Sequence, residues 1–260
     1  MSRTFEALQR LEKEQQVTSR PVEVTPIIHP GNGAGSNGAS SNASVNGAKS
    51  VKVGEEEVLK LVQRVFRSTN PDAPRTVAFS GVDHGDGCSW ITANAALTLA
   101  AQTSSSICVV DANFRTPSLH RFFDIENRFG LVDAIAQSAP IRDFAQQLSG
   151  SNLWVLTCGS TSGKMAANAL SSEALRARMT ELRSEFDYVL IDTPPANLYA
   201  DCLTLGRLAD GTILVLQSNA SRREAALKAK ESFENAHVRL LGAVLNKRTF
   251  PIPQNLYNWL

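Results

Sequence analysis

Residues 77–90 read Val-Ala-Phe-Ser-Gly-Val-Asp-His-Gly-Asp-Gly-Cys-Ser-Trp. An apolar run ending at Phe79 leads into Gly81, Gly85 and Gly87, and Ser89 opens a helical stretch, Ile91 to Ala101. A strand, a glycine-rich turn and a helix start in that order cradle phosphates on backbone N–H groups at the positive end of a helix. ATP-using loops of this kind carry a lysine directly before the Ser or Thr, where it reaches the outer phosphates. Here that position is Cys88. The residues therefore spell a nucleotide-binding fold and leave its chemistry in question.

Outward from the loop, short apolar runs recur at Thr76–Phe79, Ile107–Val110, Leu153–Leu156, Tyr188–Ile191, Thr212–Leu216 and Leu240–Leu245. Helical patterns separate them at Ser89–Ala101, Glu173–Phe186, Asp201–Leu208 and Ser221–Ala236. A further helix, with Val58, Leu59, Val62, Val65 and Phe66 inward, precedes the first run. Unbroken apolar strands alternating with amphipathic helices predict an α/β fold, a doubly wound, mostly parallel sheet covered on both faces. Ligands of such sheets sit at the carboxyl ends of the strands.

Four segments follow from composition. Residues 1–20 place Phe5, Leu8 and Leu11 at helical spacing, an amphipathic helix. Residues 21–50 collapse into Gly, Asn, Ser and Ala, too little apolar surface to offset ordering entropy, and read as a disordered linker. Residues 53–248 form the folded domain, and 249–260 an apolar tail whose Pro251 and Pro253 bar a regular helix. The tail is expected either to pack on its own domain or to dock a partner.

The chain's 260 residues carry 26 basic and 25 acidic groups, a balance that gives no reason to expect nucleic acid as a partner. No apolar run approaches the ~20 residues of a membrane span, and the N-terminus has no signal-peptide core. Cys88, Cys108, Cys158 and Cys202 are widely spaced, which points to a reducing cytoplasm and not to a disulfide frame or zinc site. His29, His120 and His237 show no ligand spacing.

Two carboxylates mark the expected site. Asp111 ends the run Cys108-Val-Val, and Asp192 ends Tyr188-Val-Leu-Ile, so each stands at a strand tip where it can hold a Mg²⁺-bound water near phosphates. A single Asp there is more often a turn former; two, each downstream of the glycine loop, favour a site.

The loop, the stretch VVDANFR (109–115) and DYVLIDTPP (187–195) together resemble the ParA/MinD-type P-loop proteins, and among them the bacterial tyrosine autokinases of capsule and exopolysaccharide synthesis. The opening SRTFEALQRLEKE, Gly130-Leu-Val-Asp133, NALSSE (168–173) and Asn246 in AVLNKR agree with it. The resemblance implies ATP or ADP and Mg²⁺ as cofactors. Gly85, Asp86, Gly87, Cys88, Ser89 and Trp90 would wrap the phosphates, with Ser89, Asp111 and Asp192 at the metal. Asp111 and Asp192 would position the attacking hydroxyl, Arg115 would lie near the phosphates or at a subunit interface, and Asn246 would meet the adenine. It further implies a cytoplasmic protein, peripheral at the membrane through the cytoplasmic segment of a polysaccharide co-polymerase, with homo-oligomers open. Arg64 and Arg67 match half of an oligomerisation motif whose Glu is here Leu61.

Three departures weaken the catalytic expectation. Cys88 replaces the lysine, Asn113 replaces the second Asp of the family's DxD, and the tail offers one tyrosine, Tyr257. Losing one preorganised stabilising group costs ~10²–10³ in rate. The expectation is a kinase-like nucleotide-binding regulator of export, with an active autokinase and a partitioning ATPase as alternatives. Lys164, Arg222 and Arg223 are candidate substitute cations. Cys88 as a nucleophile, assisted by His84, is weighed against a small residue that fills the lysine's place, and the latter is preferred.

Overall fold

The computed structural model describes residues 25–26, 56–67, 72–159 and 172–247. The expectations for the N-terminal helix, most of the linker, Lys164 and the tail with Tyr257 lie outside them. Among the described residues, eight strands form one sheet in the order β1-β8-β7-β2-β6-β3-β5-β4. These are β1 (Thr25–Pro26), β2 (Thr76–Gly81), β3 (Ile107–Asp111), β4 (Gln146–Gln147), β5 (Leu153–Leu156), β6 (Tyr188–Thr193), β7 (Gly211–Gln217) and β8 (Leu240–Asn246). All pairings are parallel except β4 with β5. Every residue of β2 and β3 is buried, as parallel strands covered on both faces require.

Alternate residues feed opposite cores. Val77, Phe79, Ile107, Val109 and Leu190 face a cluster closed by α1 (residues 56–66) and α2 (Cys88–Gln102), which contribute Val62, Phe66, Ile91 and Leu99. Ala78, Cys108, Val110, Val189 and Ile191 face the other side, under Leu175, Met179 and Leu182 of α5 (Glu173–Glu185). Ser172 caps α5 by accepting the Leu175 N–H at 3.2 Å. Between β3 and β4 lie two short helices, α3 (Leu119–Phe122) and α4 (Leu131–Ala136). On the β7–β8 side, α7 (Arg223–Asn235) buries Ala229 and Phe233 and α6 (Asp201–Leu208) buries Cys202 in a third cluster.

Three details differ from expectation. In α1, Leu61 is buried and Leu59 half-buried, so the inward stripe is rotated by part of a turn. Thr25–Pro26, inside the stretch read as a linker, pair with Val244 and Leu245, so the disordered reading fails at those two residues. The antiparallel edge strand β4 carried no sequence signal.

The central strand β2 lies between β6 and β7. Its chain leaves over one face to β3, which lies beyond β6, while β7 takes the opposite flank. Strand order thus diverges around β2, and this topological switch point is where such sheets bind ligands.

Candidate functional site

The loop between β2 and α2 is shaped by its glycines. Gly85 and Gly87 both have φ of 85°, a left-handed conformation that side chains rarely adopt. A Cβ on Gly85 would meet nothing within 4 Å, so its backbone angle, and not lack of space, calls for glycine. Gly87 stands at the N-cap of α2 with no side-chain cap, and the helix's first turn holds no acidic residue. Its leading N–H groups and the positive end of its dipole are thus presented to the loop.

Side chains brace the loop from below. Asp86, 4% exposed, accepts the Asp83 N–H at 2.7 Å and the Ser221 hydroxyl at 3.1 Å. Asn246, at the end of β8, donates from Nδ2 to the Asp86 carbonyl at 2.8 Å. Lys247 donates from Nζ to the Gly85 carbonyl at 2.5 Å and to Gln217 Oε1 at 3.3 Å.

Asp111 and Asp192 are register partners at the ends of β3 and β6, and neither is exposed to solvent. Ser89 Oγ donates to Asp192 Oδ2 at 2.5 Å. The other oxygen, Asp192 Oδ1, is buried without a partner among the described residues. Asp111 is fully engaged: Oδ1 accepts the Asn113 N–H at 3.2 Å, and Oδ2 accepts those of Ser118 and Leu119 at 2.9 Å each. Burial, followed by repulsion from Asp111, holds the Asp192 carboxyl well above the usual carboxylate range. Burial also raises Asp111, and its three N–H donors resist that rise.

A cavity of about 470 Å³ opens over these groups. It is lined by the loop from Asp83 to Trp90, by Lys247, and by Asn113, Thr116, Ser118, Arg121, Phe122, Thr193 and Pro195. The expected Gly85, Asp86, Gly87, Cys88, Ser89 and Trp90 thus converge. Four expected residues are not part of its lining: Asp111 and Asp192, which are fully buried, and Arg115 and Asn246. Arg115 pairs with Asp201 at 2.9 Å and lies over the Tyr199 ring at 4.9 Å, because the acidic first turn of α6 attracts it away from the cavity. Asn246 lies beneath the loop, its amide committed to Asp86, and does not line the cavity.

The remaining cysteine and arginine expectations divide as follows. Burial first and the adjacent Asp192 second hold the Cys88 thiol well above its ordinary value, so it stays protonated, in keeping with a space-filling residue. Arg67 donates to the Gln102 carbonyl at 2.9 Å, closing the end of α2. Arg222 and Arg223 open α7 and do not line the cavity. Sequence reasoning missed Lys247 and Arg121, although Lys247 directly follows the noted Asn246 and Arg121 follows the noted His120.

A family model described as cellulose biosynthesis protein BcsQ matches residues 75–242. Tyrosine-protein kinase YwqD of Bacillus subtilis is 33% identical over 172 residues, 66% of this chain and 72% of that protein. The putative tyrosine-protein kinase CapB of Staphylococcus aureus is 32% identical over 169 residues, 65% of this chain and 72% of that one. Among solved structures, the chimerical protein CapA2B2 matches with a TM-score of 0.72 over 92% of this chain and 100% of its own, at 22% identity. The septum site-determining protein MinD of Pyrococcus horikoshii, solved with Mg-ADP, matches at 0.57 over 66% and 70%, at 21% identity. The two structures speak to the fold, and the two relatives to the family. The chain belongs to the bacterial tyrosine-protein kinase family, built on the P-loop fold shared with ParA and MinD.

Proposed function

We propose that this chain binds ATP or ADP with Mg²⁺ and regulates exopolysaccharide polymerisation and export by conformation, with little phosphoryl transfer of its own. The observation that carries the reading is the contrast within one loop. The glycine turn and the Ser89–Asp192 pair are intact, while a protonated thiol stands where the family's loop carries an ammonium.

Mg²⁺ takes hard oxygen ligands and keeps several waters, so one or two protein oxygens beside phosphate suffice. Ser89 Oγ and the unpartnered Asp192 Oδ1 fit that demand, and the described residues hold no cluster of three His, Cys, Asp or Glu that would form a fuller cage. The bound ion would supply charge stabilisation to the phosphates. Ser89 and Asp192 would hold it, the α2 N–H groups would orient the phosphates, and Lys247 and Asn246 would keep the loop closed. Asp111, with both oxygens engaged, acts as a positioning residue.

The partner in this reading is the cytoplasmic segment of a membrane polysaccharide co-polymerase. No helix among the described residues is long and apolar enough to cross a membrane, so such a segment would supply the attachment. A second reading, an active tyrosine kinase, is favoured by the raised Asp192 carboxyl, which suits a general base working near neutrality. Incubation with radiolabelled ATP-Mg, with and without the co-polymerase segment, separates the two. Bound nucleotide without labelled protein supports the regulator; label that disappears in Asp192→Ala establishes the kinase.

A further inference from the structure

We propose that Arg121 supplies to the outer phosphates of a bound nucleoside triphosphate the positive charge that the loop lacks at Cys88, and that Asp111 holds it there. The proposal rests on the nucleotide-binding reading above and adds the residue that replaces the lost cation.

Two basic side chains of Lys or Arg line the cavity among the described residues, Arg121 and Lys247. Lys247 is committed elsewhere, its Nζ held by the Gly85 carbonyl and the Gln217 amide oxygen. Arg121 is exposed, makes no ion pair among the described residues, and donates from Nη2 to the Pro117 carbonyl at 3.2 Å. A guanidinium has five N–H donors in a planar fork suited to bidentate contact with phosphate, so most of its capacity is unspent.

Its placement is built, not incidental. Arg121 lies in α3, whose first N–H, that of Leu119, together with the Ser118 N–H, is held by the buried Asp111 carboxylate at 2.9 Å. Asp111 thereby ties the turn carrying Arg121 to the end of β3, beside the β6 tip where Asp192 presents an unpartnered oxygen. Arg121's charge in turn eases the burial of Asp111. Ser118, Arg121 and Phe122 line the same cavity as Cys88 and Ser89, so in this proposal the guanidinium turns to phosphates held at the glycine loop.

Arg121→Gln keeps length and a donor for Pro117 while removing charge. Binding of ATP, ADP and adenosine, each with Mg²⁺, is measured by calorimetry at low and moderate salt for wild type, Arg121→Gln, and Arg121→Gln combined with Cys88→Lys. Arg121→Gln is expected to weaken ATP about tenfold, ADP less and adenosine not at all, with a shallower salt dependence. Cys88→Lys is expected to restore ATP binding in that background. Equal ATP affinity in wild type and a folded Arg121→Gln, judged by its melting curve, overturns the proposal and leaves the nucleotide-binding reading standing. No ATP binding by the wild type overturns both.

Discussion

Asp192→Asn tests the electrostatics of the site without removing its shape. In the unfolded chain this carboxyl ionises near 4, whereas in the fold burial and the neighbouring Asp111 raise it to about 8. The native protein therefore keeps a proton that the unfolded chain has lost across the interval between those values. The associated stability is fully present below about pH 4 and is lost as pH rises through about 8. Asp86, also raised by burial, adds to the same slope. Asparagine is nearly isosteric, still accepts the Ser89 hydroxyl and cannot ionise. Removing the cost of a buried, partly unpaired carboxylate is worth on the order of 1–3 kcal/mol at pH 8.5, a few degrees in melting temperature. Thermal unfolding of ligand-free protein at pH 5 and 8.5 should show the wild type falling between them and the variant falling less. Mg-ATP should stabilise the wild type at pH 8.5 and leave the variant nearly unmoved, since the amide is a poor ligand for Mg²⁺. A wild type whose stability rises across this window, or a variant less stable than wild type at pH 8.5, would refute the reasoning.

Three further outcomes are expected. Cys88→Lys should tighten ATP binding at least about tenfold by calorimetry, since one well-placed charge-assisted contact is worth ~1.5–3 kcal/mol; unchanged affinity would show that the loop does not receive the outer phosphates. The isolated chain should show negligible tyrosine phosphorylation by mass spectrometry, and phosphate on Tyr257 that is lost in Asp192→Ala would contradict this. Gly130→Ala should cost more than about 3 kcal/mol in chemical denaturation, because the new Cβ would fall 2.2 Å from the Thr157 carbonyl oxygen and 2.4 Å from the Gly159 nitrogen, both backbone atoms; a variant of near wild-type stability would mean that this packing is looser than described.

The core strands were legible because a parallel strand buried on both faces must be apolar throughout, and runs such as Ile107–Val110 and Tyr188–Ile191 can satisfy little else. The placing of Asp111 and Asp192 at strand tips followed from the same logic, since each ends such a run; their side-by-side register comes from the strand order. What escaped was set by partners remote in sequence. Arg115 was expected near the phosphates or at a subunit interface, and Asp201, 86 residues away, holds it outside the cavity. Two-residue strands such as Gln146–Gln147 are too short to carry a period. Leu59 and Leu61 both fit an inward stripe, and packing against the sheet favoured Leu61.

Two of the departures in the sequence, Cys88 and Asn113, are connected in the fold. With a thiol at position 88, Asp192 has no cation beside it in the loop, and burial then favours its neutral form. Asn113 adds no third negative charge to that pair; its side-chain oxygen instead accepts the Thr116 N–H at 3.1 Å and shapes the turn leading to Arg121. A carboxylate at 113 would keep that turn but bring more negative charge towards Asp111 and Asp192, with no lysine opposing it. The loss of the ammonium and the loss of the second acidic residue therefore offset each other, leaving the glycine turn intact with less charge of either sign around it.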